Sequence, residues 1–126
     1  MDAVQALADL TELSAQIEAA VIASPDGTPL ASTLTGNAAE ALAYAAAELL
    51  REAGERAVSV EAATGQGSVF AARDGAHSVL AVTPRGVPSG LVLYDLRTCL
   101  RRLAEEQEPP KRKRAPRKKK EPDASA

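Results

Sequence analysis

The chain has 126 residues, 45% of them hydrophobic but only 2% aromatic, and its 15 Lys and Arg against 17 Asp and Glu leave a net charge of −2. One cysteine excludes an internal disulfide, one His and one Cys fall short of a typical zinc site, and Phe70 as the sole aromatic on an expected strand excludes a base-stacking sheet. The length supports one domain, with a modest core built from Leu, Val, Ile and Ala.

Residues 2–15 are expected to be helical, with Asp2 as cap and Leu10, Leu13 and Ile17 extending a face begun by Ala3 and Ala6. Ile17–Ala23 is short and apolar, as in a buried strand. Ser24-Pro25-Asp26-Gly27 then carries turn chemistry: Pro pre-sets φ, Asp bonds its own backbone, and Gly accepts a left-handed conformation. Pro29–Leu34 returns as the second strand of a hairpin. Asn37, with Glu40 three residues on, is expected to cap a second helix that runs to about Ala53, striped by Leu42, Ala46, Leu49 and Ala53 and ended by Gly54. Three strands follow, Ala57–Ala63, Ser68–Arg73 and His77–Thr83, separated by the turns Gly65–Gly67 and Asp74-Gly75. After the loop Pro84–Pro88, Ser89–Gln107 reads as a third helix with Leu93, Leu96, Leu100 and Leu103 in one stripe, widened by Val92 and Cys99; Pro109-Pro110 stops it. The expected class is α+β, in the order α-β-β-α-β-β-β-α, with a five-stranded antiparallel sheet.

The near-neutral total hides two parts of opposite sign. Residues 1–110 carry seven cations against fifteen acids, −8, whereas residues 111–126 carry eight cations against two acids, +6. All five lysines lie in the second part, and the Ala-, Gly- and Arg-rich remainder points to a GC-rich, bacterial coding bias. The expected organisation is therefore a domain at 1–108 and a disordered Lys/Arg-rich tail at 109–126, whose composition cannot offset the entropy of ordering. No basic region precedes an apolar stretch at the N-terminus, and no apolar run approaches the roughly 20 residues of a membrane span, so a cytoplasmic protein is expected, peripheral at the inner membrane face if its tail meets lipid.

Three stretches, "AAVIASPDGTPLAST", "HSVLAVTPRGVPSG" and "GLVLYDLRTCLRRL", together make residues 3–104 resemble the Roadblock (dynein light chain) family. The resemblance implies a profilin-like fold, and homodimers or heterodimers joined through the second helix and the neighbouring edge strand. It also implies a non-enzymatic adaptor that regulates a Ras-like small GTPase, in some members by stimulating GTP hydrolysis. No cofactor is implied. The tail stands outside the family pattern.

His77 is expected to be an edge or internally satisfied histidine, and Cys99 a buried structural thiol. "TGQGS" at 64–68 lacks the Lys and following helix of a phosphate-binding loop and reads as a hairpin turn. The Ala-rich second helix permits close approach of another element, so Ala43, Ala46, Ala47 and Leu50, spread across its two sides, are the expected dimer-interface residues; the competing explanation is helix propensity alone. Glu48, Glu52 and Glu55 form an acidic strip there. The tail residues Lys111, Arg112, Lys113, Arg114, Arg117, Lys118, Lys119 and Lys120 are expected to bind an anionic surface. That surface is a membrane, a nucleic acid bound without sequence preference, or an acidic protein face including the chain's own body. Simple solubilisation is the remaining reading. Retention on DNA through the tail, with the body acting only as dimeriser, is the main alternative function. A profilin-like sensor of a small ligand ranks last, because polar and aromatic lining residues are scarce.

Overall fold

The computed structural model describes residues 2–107; the expected tail, including its eight cationic candidates, lies outside the described residues. Asp2 caps α1 (Ala3–Leu13) as expected, its carboxylate accepting the Gln5 amide at 2.8 Å. The inward stripe is Ala6, Leu7 and Leu10, whereas Leu13 is 62% exposed. The expected Leu10–Leu13–Ile17 face is thus corrected. Ser14 leaves helical geometry at φ −116°, ψ 88°, so the periodicity stops before Ile17, which packs on the core from the following loop.

β1 (Ala19–Ala23) and β2 (Pro29–Ser32) form the expected hairpin. Gly27 takes φ +91°, its amide donates to the Ser24 carbonyl at 3.0 Å, and the Thr28 amide donates to Asp26 Oδ1 at 3.2 Å. α2 (Gly36–Ala53) starts slightly earlier than the sequence reading placed it: Thr35 occupies the cap position without a side-chain cap bond, Gly36 turns the chain at φ +59°, and Asn37 falls within the first turn. Gly54 ends the helix, as expected. β3 (Ser59–Ala63), β4 (Ser68–Arg73) and β5 (Ser78–Thr83) make the meander, and α3 (Ser89–Gln107) follows with the boundaries its leucine stripe predicted.

The five strands pair antiparallel throughout, in the order β2-β1-β5-β4-β3. Side chains alternate between two covered faces. Ala20, Ile22, Phe70, Ala72, Val79 and Ala81 point to the layer of α1 and α3, where Leu7, Leu10, Val92, Leu96, Leu100 and Leu103 meet them. Val21, Ala23, Ala71 and Leu80 point to α2. Covering both faces is why β1 and β5 read as unbroken apolar runs rather than alternating ones. The two edges of the sheet, β2 and β3, are short, at four and five residues.

Candidate functional site

Among the described residues α2 lies alone on its face of the sheet, and its alanines explain how. Ala43 and Ala46 are fully buried and Leu50 is 3% exposed, all three packed on Val21, Ala23, Ala71 and Leu80. Small side chains let the helix settle close to the strands. Of the four expected interface residues, Ala43, Ala46 and Leu50 thus lie on the side of α2 that packs against the chain's own sheet. Ala47 is half-buried and faces the β1–β2 turn, so close that a Cβ added at Gly27 would stand 3.4 Å from its methyl group. The outward side of α2 carries Ala41, Ala45 and Glu52, and one flank holds the half-buried Leu42 and Leu49.

The opposite flank of α2 borders an open groove of about 420 Å³. Tyr44, Ala47, Glu48 and Arg51 form one wall, Pro25-Asp26 with Gly75, His77 and Ser78 the other, and Gly54-Glu55 closes the end. Tyr44 is 64% exposed. Glu48 and Arg51 pair along the helix. The Ser24 hydroxyl and Thr28 hold the Asp26 carboxyl below its usual range by hydrogen bonding to its ionised form. Arg73 crosses behind the groove, donating from Nε to the Ala57 carbonyl at 2.8 Å and from its terminal nitrogens to the carbonyls of Leu50 and Gly54. It thereby satisfies the C-terminal end of α2, where a cation is favoured. Of the expected acidic strip, Glu48 and Glu55 line the groove and Glu52 does not.

The other candidates are dispersed. His77 lines the groove, whereas Cys99 is buried under α1 on the far face, its Sγ donating weakly to the Ala6 carbonyl at 3.8 Å; the two do not meet as a dyad. Burial pushes the Cys99 thiol up to about 11, opposite to the shift a nucleophile requires. Thr64 Oγ1 accepts the amides of Gln66 and Gly67 at 3.2 and 3.0 Å, so the "TGQGS" turn spends its donors internally. Among the described residues no group of three or more His, Cys, Asp or Glu converges as a metal site, and no helix is long and apolar enough to cross a membrane. Sequence reasoning missed the groove, because its walls are joined only when two hairpin tips and the end of α2 meet. The one local hint was Arg73, a cation closing an otherwise apolar strand.

Helices on both faces of a five-stranded antiparallel sheet, in this order, define the profilin-like class of α+β domains. Within it, the Roadblock/LC7 domain from Streptomyces avermitilis superposes with a TM-score of 0.75 at 14% identity, over 84% of this chain and 98% of that one. Myxococcus xanthus MglB superposes at 0.60 and 14% identity, over 78% and 81% of the two chains. Acanthamoeba castellanii profilin II does so at 0.60 and 18% identity, over 84% and 99%. No protein-family model and no curated protein matches the chain. The architecture is that of Roadblock/LC7 domains, as the sequence resemblance implied.

Proposed function

We propose that this chain is a non-enzymatic, dimeric adaptor that regulates a Ras-like small GTPase, with its basic tail docking the assembly on an anionic surface. The observation that carries this reading is the likeness to Roadblock/LC7 domains and to MglB across most of the chain, since the Roadblock resemblance implies GTPase regulation. The surface left by the core supports it. Among the described residues α2 stands alone over one face of the sheet, its Leu42 and Leu49 flank is half-buried, and β3 ends the sheet with an unpaired edge. A second copy meeting the first along that flank and edge buries both. Tail cations contribute about 1 kcal/mol each near an anionic membrane, and two tails on one dimer add avidity.

The test is affinity capture from nuclease-treated lysate with the intact chain and a version ending at Glu108, followed by a hydrolysis assay with the captured GTPase. Recovery of a Ras-like GTPase by both versions, with a changed rate of GTP hydrolysis, supports the reading. If neither version recovers one, and the intact chain alone is retained on DNA, the nucleic-acid reading replaces it. Light scattering reports the dimer independently.

A further inference from the structure

We propose that the groove beside α2 is the resting site of the chain's own basic segment, Pro109–Lys120. The groove has an apolar floor of Ala47 and Leu50, an exposed aromatic wall in Tyr44, and three carboxylates, Asp26, Glu48 and Glu55. Its two arginines are already engaged: Arg51 with Glu48, and Arg73 with the carbonyls of Leu50, Gly54 and Ala57. Asp26 and Glu55 line the groove as well, Glu55 next to Gly54 at the negative end of the α2 dipole. Lys and Arg side chains match this surface twice over, through the carboxylates and over the face of the Tyr44 ring. The charge difference acts in the same direction, with −8 on residues 1–110 and +6 on residues 111–126.

Chain connectivity brings the segment to the groove. Leu100 and Arg101 of α3 line a cleft together with Val58, Arg73 and Asp74, and Arg73 also lines the α2 groove. α3 thus runs toward the end of the sheet at which the groove opens. Its last residue, Gln107, stands six positions and about 9 Å of helix beyond Arg101. From there Lys111 reaches about 14 Å and Lys120 about 45 Å if extended. Tethered so closely, the segment is present at an effective concentration on the order of millimolar, and individually weak contacts suffice.

The consequence is a competition. An external polyanion that captures the tail removes it from α2, so anchoring the protein and uncovering its helix surface become one event. This inference does not rest on the GTPase reading, and its test does not involve a GTPase.

The experiment uses the full chain carrying Ala115→Cys with a nitroxide on the new thiol, since buried Cys99 is protected from the label. Labelled chains on the isotope-enriched protein are expected to lose the amide signals of Ala47, Gly54 and Gly75 at low salt. The signals return at about 1 M salt, where the Debye length is about 3 Å. Glu48→Gln with Glu55→Gln restores them at low salt, and so does Tyr44→Ala, whereas the charge-matched control Glu12→Gln with Glu18→Gln does not. The proposal is overturned by absence of any local loss, by a loss indifferent to the groove substitutions, or by a loss found only when nitroxide and isotope are on different chains.

Discussion

Arg73, the last residue of β4, donates from Nε to the carbonyl of Ala57 at 2.8 Å, tying the sheet to the segment between α2 and β3. Its terminal nitrogens reach Leu50 and Gly54, so one guanidinium closes the end of α2 and shapes the back of the groove. Hydrogen bonds from a charged donor contribute about 1.5–3 kcal/mol, and removing this one strands several partly buried carbonyls. Arg73→Met is therefore expected to lower stability by about 2–3 kcal/mol, read from the urea midpoint, with amide exchange accelerating first over the last turn of α2.

Gly67 and Gly65 sit in the same turn with opposite demands. A Cβ on Gly67 would lie 2.1 Å from the Thr83 carbonyl oxygen, a backbone atom held in the β4–β5 ladder, whereas one on Gly65 meets nothing within 4 Å. Gly67→Ala is expected to cost about 3 kcal/mol through forced separation of the strands. Gly65→Ala is expected to stay within about 0.5 kcal/mol. Equal effects in thermal denaturation would contradict the close approach.

The phase of α1 is testable by two leucines three residues apart. Leu10 is 3% exposed and Leu13 62%. Leu10→Ala should cost about 2–5 kcal/mol, the usual range for a buried leucine, and Leu13→Ala within about 0.5 kcal/mol. Comparable costs at the two positions would restore the face that periodicity alone favoured.

Cys99 makes stability depend on alkaline pH. Burial raises its folded pKa to about 11 from an ordinary 9.0. The unfolded thiol ionises first as pH rises, so the contribution is fully present below about 9 and is lost between about 9 and 11. The full effect is about 2–3 kcal/mol. Chemical denaturation of the native chain and of Cys99→Ala should show the native chain losing this advantage across that window, while the groups common to both cancel.

The elements were legible wherever local chemistry and periodicity agreed. Ser68–Arg73 and Ser89–Gln107 have the boundaries read from sequence, and the Pro25-Asp26-Gly27 turn closes its hairpin as its residues require. α1 and α2 were harder for one reason. Leu and Ala occur on several sides of each, so an apolar stripe can be drawn in more than one phase, and the partner surface chooses among them. Leu7 and Ala39 are buried although neither belonged to the expected stripes, while Leu13 and Ala53 belonged and are exposed.

The same ambiguity governs the candidate site. From sequence, the alanines of α2 suit a neighbouring sheet and a neighbouring subunit equally, because a small side chain permits close approach without naming what approaches. The two-signed charge distribution, the lack of local catalytic motifs, the order of elements and the Roadblock resemblance were all properties of the chain as a string, since each depends on residue identity and spacing alone. Which face of α2 is spent on the core, how Arg73 reaches Leu50 and Gly54, and that Asp26, Glu48 and Glu55 share a groove with Tyr44 depend on contacts between residues distant in sequence, and only the closed sheet decides them.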